Sequence, residues 1–340
     1  MNTRNLGRSG LQVSPICLGT MNFGGPTDTA TATRLIAVSR DAGINFIDTA
    51  NVYTGGRSEE IVGAAIKAER HHWLLATKVN GATGPGPNER GSSRKSIIEA
   101  AHASLKRLGT DYIDIYYLHR EDLRTPLAES VHAMADLQRS GVIRYFAVSN
   151  HKSWRVAEIC RICDDLGIDR PIASQPYYNA MNRTLEVEHL PACDYFGLGV
   201  VPYSPVARGV LTAKYDPDAP PPEDSRAARQ DRRIMQTEFR RESILIARTL
   251  QAHAAVRGIT PGQFAFAWVL NNKLVTSVIA GPRTEAHLHD YLAALSYRFT
   301  AEDEALVDSL VPPGHNSTPG YTDPTDPVQG RIPFNPGASA

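Results

Sequence analysis

Short apolar runs alternate with amphipathic stretches along most of this chain. The runs are rich in isoleucine, valine and aromatic residues. Many lack strict alternation of apolar and polar positions, which is typical of parallel strands covered by helices. They occupy residues 16–20, 44–50, 73–79, 112–119, 143–150, 172–179, 198–204 and 276–281. The pattern therefore predicts eight buried strands.

The stretches between these runs carry the end signals of helices. Ser92 and Ser93 are suitable N-caps for one segment, which ends at Gly109. Thr125 before Pro126 predicts an N-cap and a first helical residue for the next segment. Helices are predicted over residues 31–43, 92–109, 125–141, 153–167, 238–258 and 284–295, and residues 47–66 begin like a strand and end like a helix.

Eight strands that alternate with helices favour an α/β chain folded as a (β/α)8 TIM barrel. The alternative is an open, doubly wound Rossmann sheet, which requires G-x-G-x-x-G between a strand and a helix. GPGPNERG at residues 84–91 comes nearest to that motif and has the wrong spacing. We predict one barrel domain over residues 1–311 and a Pro/Gly-rich tail over residues 312–340.

Three segments interrupt the alternation of strands and helices. Residues 4–15 are predicted to form an N-terminal β-hairpin that caps the barrel bottom. The proline-rich, charged residues 214–233 are predicted to form a long, mobile surface loop after strand seven. The tail is either a disordered end or an extended flap over the barrel mouth. We favour the flap, since Tyr321, Ile332 and Phe334 give it apolar side chains to bury.

Charge and composition exclude several classes of partner. The 36 Lys and Arg balance the 36 Asp and Glu, so the chain lacks the positive field that nucleic acids or anionic membranes attract. It also lacks an apolar signal region and an apolar run of about 18 residues. We therefore expect a cytoplasmic protein without a nucleic-acid or membrane partner.

The four cysteines include a C-x-x-C pair, Cys160 and Cys163, which is a pattern found in redox and zinc sites. The pair lies within a helical pattern, without a second Cys/His pair at metal-ligand spacing. We interpret the cysteines as structural thiols and expect no metal site.

Ionisable residues follow three neighbouring strands. Asp48 ends strand two, with Tyr53 in the loop behind it, Lys78 ends strand three and His119 ends strand four. Because active sites of such barrels lie at the C-terminal ends of the strands, these side chains are expected on one face. Each residue alone also has a plain structural explanation, but charged residues rarely follow apolar strands without a partner.

These four residue types suit proton transfer to a carbonyl oxygen. A tyrosine has an ordinary pKa of about 10, and a nearby ammonium is expected to lower it towards the operating pH. Lys78 can supply that charge, Asp48 can hold Lys78, and His119 can orient a substrate oxygen. An acid directed at an oxygen is what carbonyl reduction requires.

The sequence resembles the aldo-keto reductase family over residues 6–295. The matching stretches are LGTMNFG, GINFIDTANVY, ATKV, SLKRLGTDYIDIYYLH, GVIRYFAVSN, PYSPVARGVL and VIAGPRTEAHL. The resemblance implies a barrel enzyme that uses a nicotinamide cofactor without a Rossmann domain. It also implies a catalytic tetrad of Asp48, Tyr53, Lys78 and His119, with Tyr53 as general acid/base. The branch it resembles includes bacterial general reductases and potassium-channel β subunits.

The same resemblance implies a cofactor site for NADPH/NADP+ at the later strand ends. Ser149, Asn150 and Gln175 match residues that bind the nicotinamide carboxamide, Tyr203 the aromatic that stacks on the nicotinamide, and Arg283 the ligand of the 2′-phosphate. The full implied set is Thr20, Met21, Asp48, Ser149, Asn150, Gln175, Tyr203, Ser204, Pro205, Val206, Ala207, Gly209, Leu211, Lys214, Ala280, Gly281, Arg283, His287, Asp290 and Tyr291. In the alternative, structural interpretation Ser149 and Asn150 cap a helix, Tyr203 is a core aromatic and Arg283 a solvated charge.

The chain departs from the family where the adenine binds, since His287, Asp290 and Tyr291 replace the usual Gln and Glu-Asn. The contacts of the adenine therefore stay open. From placement alone, Met21, Phe23, Asn80 and Trp154 are predicted to face the pocket. The predicted substrate is a small-molecule aldehyde or ketone, and a homo-oligomer is compatible with the sequence. Two alternatives remain, a nicotinamide-binding regulatory subunit with slow turnover and a barrel aldolase with Lys78 as Schiff-base nucleophile.

Overall fold

A computed structural model describes residues 1–327 of the protein. Within these residues, two short strands form an antiparallel hairpin and eight parallel strands form the central sheet. The strands are β1 (Arg4–Asn5), β2 (Gln12–Val13), β3 (Ile16–Gly19), β4 (Phe46–Asp48), β5 (Leu74–Val79), β6 (Ile113–Leu118), β7 (Ile143–Ser149), β8 (Ala173–Gln175), β9 (Gly199–Val200) and β10 (Val278–Ala280). Each of the eight lies within a predicted strand.

The central sheet closes on itself. Its hydrogen-bonded order runs from β3 to β9 in sequence, with β10 beside β3. Between β9 and β10, the amide of Thr276 donates to the carbonyl of Val200 over 2.8 Å, and the amide of Ile279 donates to Pro202 over 3.0 Å. The predicted (β/α)8 barrel is therefore confirmed. β8 and β9 are shorter than predicted because Pro176 and Pro202 have no N–H for the ladder.

Helices surround the barrel on its outer side. They are α1 (Thr29–Asp41), α2 (Arg57–Ile66), α3 (Arg94–Leu108), α4 (Leu127–Arg139), α5 (Ser153–Leu166), α6 (His189–Phe196), α7 (Arg232–Gln236), α8 (Arg241–Val256), α9 (Pro261–Asn271), α10 (Glu285–Ala294) and α11 (Ala301–Leu310). Helices α6, α7, α9 and α11 lie outside the predicted set. The capping box of Thr260 and Gln263 at the start of α9 was a readable signal for one of them.

The start of α4 differs from its prediction, whereas the start of α3 agrees. The side chain of Ser93 accepts from the amide of Ser96 at the start of α3, as an N-cap should. Thr125 was wrongly predicted as the N-cap of α4, because Pro126 occupies that position. The Thr125 hydroxyl instead donates to Asp122 over 2.8 Å and holds the preceding loop.

Two hydrophobic clusters divide the core. The larger one lies between strands and helices, and the smaller one fills the barrel interior. The interior cluster consists of Leu6, Val13, Cys17, Phe46, Ala76, Ile115, Tyr117, Ala147, Ile172, Ala173, Val201 and Ile279. Its members recur at every second position of a strand, as at Ile115 and Tyr117, because side chains alternate between the two faces of a sheet. The interior is therefore a packed floor beneath the barrel mouth.

The N-terminal hairpin closes the barrel bottom, as predicted. Leu6 and Val13 are fully buried in the interior cluster. Gly7 lies beside them with a φ of +58°, and a Cβ at this position would stand 2.5 Å from the carbonyl oxygen of Gly197. Glycine is therefore required where the hairpin meets the strands.

The described part of the tail packs against the end of the segment 214–240. The hydroxyl of Tyr321 donates to the carbonyl of Gln236 over 3.0 Å. Arg233 and Asp323 form a bidentate ion pair with distances of 3.0 and 2.7 Å. Ile332 and Phe334, on which the flap prediction also depends, lie outside the described residues. The division at residue 311 and the mobility of residues 214–233 stay predictions.

The cysteines are all buried free thiols. Burial raises the pKa of Cys160 to about 11 and that of Cys163 to about 12, which disfavours the reactive thiolate. Among the helices of residues 1–327, none combines the length and the apolar composition that crossing a bilayer requires.

Candidate active site

Three of the four predicted tetrad residues meet because each lies one inward step above the barrel interior. Asp48 is two residues beyond Phe46, and Lys78 is two residues beyond Ala76 on the adjacent strand. His119 is likewise two residues beyond the interior Tyr117. The two-residue period of a strand therefore directs all three side chains into the mouth. Tyr53 reaches the same place from the loop after β4.

Lys78 is the centre of the hydrogen-bond network. It is fully buried, and its Nζ lies 2.5 Å from Asp48 Oδ1, 2.7 Å from the Thr49 carbonyl oxygen and 3.1 Å from the Tyr53 hydroxyl. Gln175 donates to the other oxygen of Asp48 over 2.9 Å. The three N–H groups of the ammonium are thus all engaged.

The electrostatics of the site keep Lys78 charged. Burial by itself lowers the pKa of Lys78, but the negative charge of Asp48 and the hydrogen bonds to Asp48 and Tyr53 outweigh burial and hold that pKa above its ordinary value. The pair of Lys78 and Asp48 is an ammonium beside a carboxylate at neutral pH, with both charges satisfied by hydrogen bonds.

Tyr53 differs from its prediction in the direction of its pKa. Burial raises the pKa of Tyr53, and although Lys78 lowers it as expected, the net direction is upward. The prediction of a lowered pKa was therefore wrong, because the sequence did not reveal how deeply the phenol is enclosed. Tyr53 is a neutral phenol in this structure and holds a proton that it can donate.

His119 completes the set as a neutral imidazole. Its ring centroid lies 5.9 Å from that of Tyr53, at an angle of 78° between the planes. Burial lowers the pKa of His119 well below its ordinary value, and Lys78 and Arg120 add to the effect. A neutral imidazole beside a neutral phenol presents two proton-donating groups to one oxygen.

The implied nicotinamide residues form a second network beside the first. The Tyr203 hydroxyl donates to Asn150 Oδ1 over 2.8 Å, and Asn150 Nδ2 donates to the carbonyl of His119 over 3.0 Å. Ser149 donates to the carbonyl of Gln175 over 2.8 Å. The structure therefore brings Ser149, Asn150, Gln175 and Tyr203 together at the mouth next to the tetrad.

Thr20 and Met21 follow the first barrel strand. The Thr20 hydroxyl is buried and donates to the carbonyl of Asp48 over 2.9 Å, so it fixes the backbone below the tetrad. Met21 is 47% exposed. Trp154, at the start of α5, is 59% exposed. Both side chains are accessible from the side of the mouth loops.

Two other predicted pocket residues are buried. Asn80 donates to Ser92 over 3.0 Å and supports the loop after β5. Phe23 is fully buried in the outer hydrophobic cluster, so its prediction as a pocket residue was wrong. The bend after Met21 directs Phe23 back towards the helices.

Residues 204–213 hold an unusual backbone. Ser204, Ala207, Arg208 and Ala213 have φ values of 59°, 48°, 52° and 57°, although none is glycine. Such conformations cost energy and concentrate at functional sites. Within the same segment Pro205, Ala207, Gly209 and Leu211 are buried, whereas Val206 is half-buried and Lys214, just beyond it, is exposed. The strain indicates a loop shaped for a ligand.

Positive charge gathers between this segment and the end of β10. Partial desolvation of the otherwise exposed Lys214 by neighbouring atoms lowers the pKa of its ammonium, and the charges of Arg283, Arg226 and Arg229 add to the effect. Arg283 donates to the carbonyl of Asp224 over 3.4 Å. A cluster of cations of this kind fits a polyanion such as the phosphates of a dinucleotide. Ala280 ends β10 and Gly281 is exposed beside it, with only a distant backbone contact where a Cβ would stand.

The implied adenine residues are engaged with the protein itself. His287 Nδ1 lies 3.4 Å from the amide nitrogen of Arg283. Asp290 accepts from Gln263 over 2.7 Å, and the Tyr291 ring packs 4.9 Å from that of Phe266. Asp290 and Tyr291 thus join α10 to α9. Their roles towards an adenine stay predictions.

Sequence reasoning missed a buried group behind Tyr203. The Tyr177 ring lies 5.6 Å from the Tyr203 ring, and the Tyr177 hydroxyl donates to Glu238 over 2.5 Å. Arg208 donates to the same Glu238 oxygen over 2.6 Å. Tyr177, Arg208 and Glu238 are far apart in the chain, and no local sequence pattern links them.

Comparison with known proteins agrees with this geometry. The model of the Aldo/keto reductase family matches residues 15–312. A "Probable voltage-gated potassium channel subunit beta" of Arabidopsis thaliana is 38% identical, covering 87% of this chain and 91% of that protein. The protein of the same name from Oryza sativa subsp. japonica is 37% identical, with the same coverage. The "Uncharacterized oxidoreductase YrpG" of Bacillus subtilis is 36% identical, covering 92% of this chain and 97% of that protein. The chain is a member of the aldo/keto reductase family, whose activity is that of an oxidoreductase.

Proposed function

We propose that the protein is an NADPH-dependent reductase that converts an aldehyde or ketone into an alcohol. The observation that carries the proposal is the 3.1 Å hydrogen bond between the buried Lys78 ammonium and the Tyr53 phenol. A proton donor next to a fixed positive charge suits a reaction in which negative charge develops on oxygen.

Each residue of the tetrad has a defined part. A reduced nicotinamide held next to the tetrad would supply the hydride for the carbonyl carbon. His119, as a neutral imidazole, donates a hydrogen bond to the carbonyl oxygen and orients it. Tyr53 gives its proton to that oxygen as the second bond of the carbonyl breaks, and the Lys78 ammonium stabilises the resulting phenolate. Asp48 keeps Lys78 charged and in place, and water returns the proton to Tyr53.

The choice of NADPH over NADH rests on charge. Lys214 lies near the guanidinium groups of Arg226, Arg229 and Arg283, and a carboxylate oxygen of Asp224 lies 3.9 Å from Arg283. A 2′-phosphate adds negative charge that this cluster can neutralise, and a guanidinium binds it with two hydrogen bonds. We propose Arg283 as its principal ligand.

The aldolase alternative has less support. A Schiff-base lysine must be a neutral amine with a free lone pair. The Nζ of Lys78 is instead held by three acceptors, and the pKa of Lys78 lies above its ordinary value. Lys78 is therefore suited to remain an ammonium.

The regulatory alternative rests on the relatives named as potassium channel β subunits. Under that alternative the protein binds the cofactor firmly and turns over slowly. The complete tetrad favours an enzyme, since a protein that only senses the cofactor has no need of a placed proton donor.

The decisive experiment follows the loss of NADPH or NADH absorbance with a panel of aldehydes, ketones and sugar carbonyls. Wild type is compared with Tyr53→Phe, which keeps the ring and removes the proton. We expect oxidation that prefers NADPH and falls at least about 100-fold in the variant. Tight NADPH binding without turnover of any substrate would instead favour the regulatory subunit.

A further inference from the structure

Three hydrogen bonds converge on one buried carboxylate next to the mouth. Glu238 is 1% exposed and accepts from Arg208 over 2.6 Å, from Tyr177 over 2.5 Å and from the neighbouring Thr237 hydroxyl. Arg208 also donates to Thr237 over 3.0 Å. A buried ion pair with this number of hydrogen bonds holds its partners in a single geometry.

One partner supports the ring of Tyr203. The Tyr177 ring lies against that of Tyr203 at 5.6 Å with 31° between the planes, and the Arg208 guanidinium lies 5.2 Å above the Tyr177 ring. The amide of Tyr203 also donates to the carbonyl of Pro176 over 3.0 Å. The position of Tyr203 therefore depends on Tyr177, and that of Tyr177 depends on Glu238.

The other partner belongs to the strained segment 204–213. Arg208 has a φ of 52°, which a residue with a side chain rarely adopts, and Gly209 after it has a φ of 100°. Because such a backbone must be held from outside, the ion pair to Glu238 helps to keep this turn in place, together with the hydrogen bond from Asn179 to the carbonyl of Ser204 over 3.1 Å. Glu238 lies 30 residues further along the chain, just before α8.

We propose that the Arg208–Glu238 pair is a positioning device for the cofactor, which fixes at once the ring under the nicotinamide and the turn along the pyrophosphate. This inference rests on the proposed function. Neither residue touches the reacting atoms, and both act through Tyr203 and through the backbone of residues 204–213. Cofactor affinity, more than the chemical step, should depend on the pair.

The test measures the Kd of NADPH by fluorescence for wild type and Glu238→Gln. The glutamine keeps an acceptor for Tyr177 but leaves Arg208 buried without a counter-charge, so we expect binding at least about tenfold weaker. The KM for NADPH should rise in step, whereas kcat at saturating cofactor should fall less than about threefold. Adenosine 2′-monophosphate lacks the nicotinamide and the pyrophosphate. Its affinity, measured by competition with NADPH, should therefore be the same for Glu238→Gln and for wild type.

Asp114→Asn is the matched control. Asp114 is also a buried carboxylate, and it accepts from Arg70 over 2.6 Å and from the amide of Leu75 over 2.9 Å, at the other end of the barrel strands. Its loss should lower the melting temperature without changing the Kd of NADPH. An equal loss of NADPH affinity in both variants would reduce the effect to general stability and overturn the inference.

Tyr177→Phe keeps the test decisive if Glu238→Gln does not fold. It retains the ring and the Arg208–Glu238 pair and removes a single hydrogen bond, and we expect NADPH binding about threefold weaker or more. If wild type is active and the Kd of NADPH is unchanged in every variant that folds, the inference is overturned and the proposed function is unaffected. A wild type that binds no NADPH overturns the proposed function and this inference with it.

Discussion

The Nζ of Lys78 lies 3.1 Å from the hydroxyl oxygen of Tyr53, with Lys78 fully buried and Tyr53 half-buried at the barrel mouth. The distance links the charge of one side chain to the acidity of the other. Burial raises the pKa of the phenol, and the phenol can release its proton only because the adjacent ammonium stabilises the negative charge of the phenolate.

Asp48→Asn should therefore impair catalysis without abolishing cofactor binding. Burial alone lowers the pKa of Lys78, and without the carboxylate this effect loses its main opposition. We expect kcat to fall at least about tenfold, and the alkaline limb of its pH profile to move to lower pH as Lys78 loses its proton earlier. Steady-state rates between about pH 6 and pH 10 measure the position of the alkaline limb, since this range approaches the ordinary lysine pKa of about 10.4. An unshifted alkaline limb would contradict the role of Asp48.

Arg283→Met should reduce the preference for NADPH. A guanidinium that binds a phosphate contributes about 1.5–3 kcal/mol, so we expect the affinity for NADPH to fall roughly 10- to 100-fold. The Kd of NADH, which has no 2′-phosphate, should change little. Arg34→Met is the matched control. Arg34, an exposed arginine of α1, pairs over 2.6 Å with Glu285 at the start of α10, the helix that follows Arg283. Equal losses for both cofactors would remove the phosphate role from Arg283.

Stability should decline in mild acid because of buried neutral histidines. Burial lowers the pKa of His189 to about 4, and its Nε2 lies 2.9 Å from the Ser174 hydroxyl. In the unfolded chain the pKa is about 6.5, so the unfolded state takes up a proton first as the pH falls. Stability from this group is complete above about pH 6.5 and is lost between 6.5 and 4, by roughly 3 kcal/mol in all.

Urea unfolding of wild type and His189→Gln, at neutral pH and near pH 4.5, measures the effect. The variant should be less stable at neutral pH and should lose less stability on acidification. Because burial also lowers the pKa of His151 to about 4, some acid sensitivity will remain in the variant. Identical acid slopes for the two proteins would show that His189 does not stay neutral when buried.

Gly7→Ala should destabilise the barrel bottom by about 2 kcal/mol or more. The φ of +58° disfavours alanine, and its Cβ would lie 2.5 to 2.6 Å from backbone atoms of three other residues. Gly10→Ala, in the same hairpin, has open space around the new Cβ and should be nearly neutral. The two free energies of unfolding, measured in urea, give the comparison. If Gly7→Ala left the free energy of unfolding unchanged, the hairpin would not pack closely against the strands.

The strands and the place of the tetrad could be predicted from local sequence patterns. Each barrel strand lies within a predicted apolar run, since burial on both faces leaves a pattern that is local in the chain. The spacing from Phe46 to Asp48 and from Ala76 to Lys78 is also local, because side chains alternate along a strand. Strand order along the closed sheet then brings these side chains together.

Properties that depend on enclosure and on partners distant in the chain could be seen only in the folded protein. The pKa of Tyr53 rises because burial outweighs the charge of Lys78, and no local pattern reports how much water a fold excludes. Phe23 packs into the outer core rather than the pocket, since a short bend after Met21 sets its direction. Glu238 meets Tyr177 across 61 positions of sequence, a contact made only when the barrel closes.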